Sequence, residues 1–379
     1  MKCRHCKKNL SQPVLDLGNA PPSNGYVDFQ GLERSETYYP LKLYVCTSCW
    51  LVQTLDFLSP KEIFKKDYAY FSSFSSYFLE HAKFFVENII ENFELTKNSL
   101  IVEVASNDGY LLQFVKKKGI PCYGIEPTES TAKVAKKKGI KTYNCFFDSE
   151  TAKSLKDKTG PAQFVIANNV LAHVPNINKF VQGFPNLLAD DGVVSFEFHY
   201  LGNLINGKQF DSVYHEHFSY LSLKSVKTIL EFNALSIFDV EEIPTHGGSL
   251  RVFAQKKEIG RRKITNRVSS FLEKESDLGF DTIEYYQLFQ ETVISMKHQI
   301  SSFFSKNKLN GKKIVGFGAA AKASTLINYV GLSTDHIEYI VDRNPQKQGL
   351  YLPGSHIPIV DENKLYEDNP DFIVIFPWN

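Results

Sequence analysis

Residues 99–119 read SLIVEVASNDGYLLQFVKKKG. An apolar run of strand length, Leu100–Val104, breaks at the turn Ser106–Gly109 and passes into a segment whose apolar residues recur at helical spacing until a glycine stops it. The cycle then repeats: CYGIEP (122–127) as a strand, STAKVAKKKG (130–139) as a helix, then KTYNCFF (141–147), QFVIANNV (163–170) and GVVSFEF (192–198). Strands alternating with helices at this period build a parallel, doubly wound sheet, and such sheets take ligands beyond the carboxyl ends of their strands. Those ends carry Ser106 and Asn107, then Glu126, then Asp148, then Asn168 and Asn169.

The chemistry of the first turn narrows the ligand. A pyrophosphate needs several glycines so that backbone amides can approach it, and here only Gly109 is present. Glu126, one strand later, is placed to accept hydrogen bonds from two ribose hydroxyls. A nucleoside ligand without a pyrophosphate points to S-adenosylmethionine. A second glycine turn, GFGAAAKA (316–323), opens a fresh α/β unit with Gly316, Gly318 and Ala321 in a GxGxxA arrangement, and Asp342 ends the next strand. Three readings of this turn stand side by side: small residues for close helix–strand packing, amides at Gly318 plus Lys322 holding the phosphates of a nucleotide sugar, or an NAD site.

Toward the N-terminus, four of the six cysteines form two CxxC pairs, Cys3 with Cys6 and Cys46 with Cys49. In a reducing compartment two such knuckles make a closed tetrahedral zinc site, so one structural zinc ion is expected. The 39 residues between them must fold as an excursion of their own, and Cys122 and Cys145 read as plain buried thiols. Basic residues do not gather around the knuckles with interleaved aromatics, so the zinc serves folding rather than nucleic acid. After the knuckles, Phe74, Phe78, Phe85 and Ile89 recur at helical spacing from about Ser73, preceded by an aromatic, hydroxyl-rich stretch, Tyr68–Ser73, that reads as packing or as a lid. A polar helical segment follows from about Ile259 to Lys306, and the last stretch, DFIVIFPWN, ends on an apolar strand, which reads as a final domain cut short.

Composition excludes several classes. With 43 basic against 42 acidic residues there is no broad field to draw nucleic acid or an anionic membrane. No apolar run approaches the roughly 20 residues of a membrane span, and MKCRHCKKNL lacks the apolar core of a signal peptide. A cytoplasmic chain, monomeric and without an obligate partner, is the expectation. The stretch VYHEHFSY (213–220) is then the densest chemistry: two imidazoles, a carboxylate and a phenol in four residues. It reads as a polar loop, as proton-transfer chemistry, or as a metal site through His215 and His217.

The order of parts resembles the bacterial sugar C-methyltransferases. The cysteine ribbon, DYAYFSSFSSYFLEHA (67–82), ExxSNDG (103–109), NNVLAHVPN (168–176), YHEHFSY (214–220), PTHGGSLRVF (244–253) and GFGAAAKA follow one another over essentially the whole chain. That resemblance implies an α/β fold of three parts: a small zinc-binding domain (1–70), a central class I methyltransferase Rossmann-like domain (71–258) and a C-terminal Rossmann-like domain that binds the sugar nucleotide (259–379). It implies a substrate, a nucleoside-diphosphate keto-deoxysugar, deprotonated at C3 and methylated from S-adenosylmethionine. By the same resemblance His217 is the base, Glu216 positions the substrate or tunes the imidazole, Tyr214 and His173 donate to the C4 oxygen as it gains charge, and Tyr68 closes the site.

The cofactor contacts expected are Glu103, Ser106, Asn107 and Gly109 on the first strand and turn, Glu126 and Pro127 on the second, with Phe147 and Asn168 beyond. His246, Gly318 and Lys322 are the expected substrate contacts. His215 is expected to point away, and His81, His199 and His298 to be ordinary. Because Tyr214 and Glu216 would face opposite to His217 in a regular strand, the segment is expected to be a loop. An NAD-dependent oxidoreductase working through GFGAAAKA, and a non-catalytic zinc-ribbon binding protein, are the competing readings.

Overall fold

The computed structural model describes residues 1–59 and 71–379; the expected closing residue Tyr68 lies outside them. The chain opens with the first cysteine knuckle and an antiparallel pair, β1 (Gln12–Ala20) and β2 (Tyr39–Val45), then a two-residue strand β3 (Val52–Gln53) directly after the second knuckle. The excursion between the knuckles is thus a hairpin whose inward residues, among them Leu15, Leu41 and Leu43, are buried.

The helix Ser76–Asn92 comes next, capped by the Ser75 side chain on the Phe78 amide and buried along Ala82, Phe85, Val86 and Ile89. Phe74 does not join that face. It sits in the 3-10 turn Ser72–Phe74, 65% exposed, because the helix begins two residues after it.

The central strands are β4 (Ile101–Val104), β5 (Cys122–Ile125), β6 (Thr142–Tyr143), β7 (Ala162–Asn168) and β8 (Leu188–His199). Strand β9 (Ser219–Tyr220) leaves this sheet and pairs with β3 across the N-terminal sheet, and then β10 (Leu235–Ile243) and β11 (Ser249–Lys256) return. The seven-stranded order is β10-β11-β8-β7-β4-β5-β6, parallel except for β11, which runs antiparallel to both neighbours. Every residue of β4 is buried, as expected of a strand covered on both faces by helices. The order reverses around β4, so its carboxyl end and those of β5 and β7 open onto one crevice.

The helices Asn266–Asp277 and Ile283–Leu309 follow; the second packs on the N-terminal sheet, with Tyr286 stacked 6.3 Å from Trp50. A last parallel sheet, ordered β14-β13-β12-β15, is built from β12 (Ile314–Phe317), β13 (Ile340–Val341), β14 (Ile359–Val360) and β15 (Phe372–Ile375). Among the described residues no helix is long and apolar enough to cross a membrane.

Candidate active site

A cavity of about 810 Å³ lies over the carboxyl ends of β4, β5 and β7 and is closed by the 213–220 segment, the turn after β10 and the start of the helix Ala321–Val330. Of the residues expected at the cofactor, Asn107, Glu126, Pro127, Phe147 and Asn168 line it. Glu126 is 4% exposed and accepts the Asn107 amide at Oε2 (2.9 Å) and the Thr128 amide at Oε1 (2.8 Å). The Thr128 and Thr131 side chains also bear on this carboxylate, which is an acceptor set at the cavity wall. Burial pushes this carboxyl up, against the pull of the Thr128 and Asn107 amides. Asn168 Oδ1 is buried with no hydrogen-bond partner, an orphan acceptor at the cavity wall. Asn107 and Asn169 hold φ at 47° and 54°, the left-handed region, next to the crevice.

Glu103 is not among the residues lining this cavity. It sits in the middle of β4, 1% exposed, sealed below the cavity rather than in its wall, and burial with Glu126 and Asp108 nearby drives its carboxyl well up. Ser106 and Gly109 are likewise beneath the lining. At Gly109 (φ 76°) a side chain would strike Ile140, so the turn needs glycine for packing as well as for conformation.

The opposite wall carries the histidines. Residues 214–218 form a turn, not a strand, and this brings Tyr214, Glu216 and His217 to one cavity. The His217 ring lies 4.0 Å from the Tyr214 ring and 4.7 Å from His173. His217 Nδ1 is 3.1 Å from the Ser212 carbonyl. A carbonyl only accepts, so Nδ1 bears the proton and Nε2 is left as a base. Burial, then the neighbouring His173 and His199, hold the His217 pKa well below its ordinary value, so the ring is neutral at pH 7. His215 points away and is 3.3 Å from the Tyr39 carbonyl.

His173 lines the same cavity with its tautomer fixed. Its Nδ1 donates to the Glu216 carbonyl at 2.9 Å, which makes Nε2 an acceptor, and burial lowers its pKa to about 4. A neutral imidazole so oriented has no second N–H for an oxyanion. Lys322 Nζ is buried in the cavity wall with no hydrogen-bond partner, 4.0 Å from the centroid of the Trp378 ring, and burial brings its pKa down to about 8.

The GFGAAAKA turn also reads differently in three dimensions. The Gly318 amide donates to Val341 O (2.7 Å), Ala319 to Asp342 Oδ2 (2.8 Å) and Ala320 to Gly318 O (2.9 Å). Gly318 is packed against Pro377, where a side chain would collide. Those three amides are engaged within the fold, which leaves the first-turn amides from Ala321 onward as the ones at the inner cavity. Lys322 instead turns toward the histidines, and Gly318 lines a second cavity of about 1400 Å³ that opens between the N- and C-terminal sheets.

The two cavities share Asn24, Ser72, Ser75, Glu216, Lys347 and Pro377 as walls. Asn24 Nδ2 donates to Glu216 Oε1 at 2.7 Å, and Lys347 Nζ to Ala319 O at 2.8 Å. Neither residue carries a sequence signal; each arrives through a loop of a flanking sheet. His199 also lines the inner cavity, with Nε2 2.7 Å from Gln209 Oε1, though the sequence marked it as ordinary.

His246 lines the inner cavity with φ 56° and its Nδ1 buried without a partner. Its neighbour Thr245 donates to Glu197 Oε1 (3.2 Å), which Asn169 Nδ2 also approaches (3.3 Å). Burial works to raise the Glu197 carboxyl, but His81 and Arg251 outweigh it and hold it at about 2. His81 therefore belongs to a buried ion cluster that fixes the strand ends.

The four cysteine sulfurs lie within 4.8 Å of one another, with Cys3 to Cys49 at 3.5 Å and Cys6 to Cys46 at 3.4 Å. A tetrahedron with Zn–S near 2.3 Å separates its sulfurs by about 3.8 Å, so the donor set fits zinc.

Family comparisons join these parts. Residues 3–64 match the "Putative zinc binding domain" family, 78–236 the "Methyltransferase domain" and 244–379 the "C-methyltransferase C-terminal domain". The C-methyltransferase NovU of Streptomyces niveus is 31% identical over 378 residues, spanning 100% of this chain and 90% of that protein. The chain belongs to this C-methyltransferase family. Among solved structures, the SAH-bound magnesium protoporphyrin IX methyltransferase of Synechocystis PCC 6803 is 17% identical (47% of this C-methyltransferase, 83% of that chain, TM-score 0.38). The PH0226 protein of Pyrococcus horikoshii OT3 is 12% identical (50% and 95%, TM-score 0.41).

Proposed function

We propose that this C-methyltransferase uses S-adenosylmethionine to methylate C3 of a 4-keto-deoxysugar carried on a nucleoside diphosphate, by way of the C3 enolate. The observation that carries the reading is His217: a neutral imidazole pinned at Nδ1 with its basic Nε2 in the same cavity as Glu126. S-adenosylmethionine, when bound, supplies an electrophilic methyl group. Glu126 would hold its ribose and Asn168 Oδ1 would accept from its base, with Phe147 beside the rings.

His217 Nε2 removes the C3 proton, whose acidity comes from the adjacent carbonyl, and the electron pair moves into the enolate. Lys322 and the Tyr214 hydroxyl supply donors to the C4 oxygen as charge develops there, the role the orientation of His173 denies to it. Glu216, held by Asn24, sits where the sugar would pass from the outer cavity to the inner one, and Lys347 at the same neck offers a cation to a diphosphate. The units 1–70 and 71–258 would then supply the metal site and the cofactor crevice, and 259–379 the outer nucleotide cavity together with N-terminal residues such as Asn24, Tyr26 and Tyr39.

Incubation in heavy water tests the central step. A keto-sugar nucleotide should exchange its C3 hydrogen in the presence of the enzyme and S-adenosylhomocysteine, with no methyl transfer. Methylation of the sugar at oxygen, or no exchange at C3 in a turning-over enzyme, would reject the proposal.

A further inference from the structure

The two cysteine knuckles touch different sides of the histidine pair. Between Cys3 and Cys6 lies Arg4, 7% exposed, which donates to Pro175 O at 3.0 Å and to Thr54 O at 2.7 Å and lies 5.4 Å over the Phe218 ring. His5, in the same knuckle, exchanges hydrogen bonds with Asn178 (2.8 and 2.9 Å). These contacts grip the 171–178 segment that carries His173. The second knuckle runs straight into β3, which pairs with β9 two residues beyond His217. Thr54, next in line, donates its amide to Phe218 O (3.2 Å) and its hydroxyl to His217 O (3.1 Å). Gln53 joins the knuckles to each other, accepting from the Arg4 amide (2.8 Å) and donating to Cys3 Sγ (3.3 Å).

We infer that the four-cysteine cluster is a clasp holding the His173 and His217 loops in mutual register, with Thr54 as the positioning residue through which it reaches His217. A two-residue strand pair has little stability of its own, so what keeps β3 on β9 is its attachment to a knuckle that a metal ties to the other knuckle. Metal binding at such a site is folding free energy, and its loss releases whatever the knuckles hold. The cofactor wall is anchored independently, on β4, β5 and β7. The inference takes His217 and His173 as the working pair of the reaction proposed above, but its tests need no sugar substrate, so either can fail alone.

Hydrogen exchange followed by mass spectrometry on the full chain, zinc-loaded and then stripped by a chelator, is the first test. Stripping should remove protection from 171–178 and 213–220 as well as from 1–56, while 101–125 stays protected and S-adenosylhomocysteine still binds. Loss confined to 1–56 overturns the clasp. Loss that spreads into 101–125 and abolishes S-adenosylhomocysteine binding also overturns it, since the metal would then support the whole scaffold. The second test keeps the metal. Thr54→Val preserves shape but removes the hydroxyl, and exchange at 213–220 should rise roughly five- to tenfold, the worth of one hydrogen bond of ordinary net strength. The His217 ring resonances, identified by their absence in His217→Asn, should shift, and Thr54→Ser should restore both. A Thr54→Val protein with unaltered exchange and unaltered His217 resonances sinks the proposal.

Discussion

His173 and His217 face each other with ring centroids 4.7 Å apart, and each is fastened at Nδ1 to a backbone carbonyl, Glu216 O for the first and Ser212 O for the second. Both therefore carry their proton on Nδ1 and are held neutral. Once either takes a proton, the second becomes harder to protonate, so the pair accepts one proton and not two.

His217→Asn keeps a polar side chain but has no base. Turnover should fall about 100- to 10,000-fold, the usual cost of losing a general base, and C3 exchange should vanish with it. Calorimetric binding of S-adenosylhomocysteine should survive, because Glu126 and Asn168 belong to other strand ends. Near-normal turnover would transfer the role to His173.

Glu126→Ala removes a carboxylate acceptor from the cavity wall. Hydrogen bonds to a charged acceptor are worth ~1.5–3 kcal/mol each, so affinity for S-adenosylhomocysteine should drop about tenfold or more. Titration calorimetry showing unchanged affinity would mean the ribose lies elsewhere.

The pH–rate profile should be shifted to both sides of an ordinary histidine enzyme. Because His217 is held well below its usual pKa, kcat/KM should stay level as pH falls through 6.5, where an unperturbed imidazole would be half protonated. On the alkaline side the Lys322 ammonium, with a pKa of about 8, loses its charge as pH rises, and the rate should fall through that point. In Lys322→Met the rate should be lower and the alkaline limb near 8 gone; a limb that persists assigns it to another group.

Stability carries the signature of a histidine held neutral by burial. His199 has a folded pKa of about 3, depressed mainly by burial, against an unfolded value near 6.5. Between those values the unfolded chain holds the extra proton, so this group's contribution is intact above about pH 6.5 and declines as pH falls toward 3. His199→Gln should flatten the acid side of the stability curve by ~1.4 kcal/mol per pH unit relative to the parent chain, read from urea titrations at several pH values. Parallel curves would show that His199 is protonated in the fold.

Much of the cavity wall was legible because a parallel sheet obeys a strand-end rule: Glu126, Asn107 and Asn168 follow from counting strands. Glu103 did not, since the same rule cannot say which face of a doubly covered strand a residue takes. The tautomer of His173 is set by a carbonyl 43 residues away, and nothing local in NNVLAHVPN encodes it. The glycine turn was legible as a strand–turn–helix, but the sequence did not show that the Gly318 and Ala319 amides are taken by Val341 and Asp342 from the neighbouring strand. Asn24 and Lys347 had no motif at all; sheet packing alone brings them to the neck between the cavities.

The pairing of β3 with β9 sets an order of events during synthesis. Thr54 leaves the ribosome 163 residues before its partner His217, which at 5–20 residues per second is on the order of ten to thirty seconds. For that interval the first three strands expose an open edge, and an open edge is a template for other chains. Its brevity, two residues, keeps that exposure small. The 213–220 segment is therefore the late arrival that completes the N-terminal sheet, and a nascent chain stalled before residue 219 would hold its knuckles but lack the strand they are built to receive.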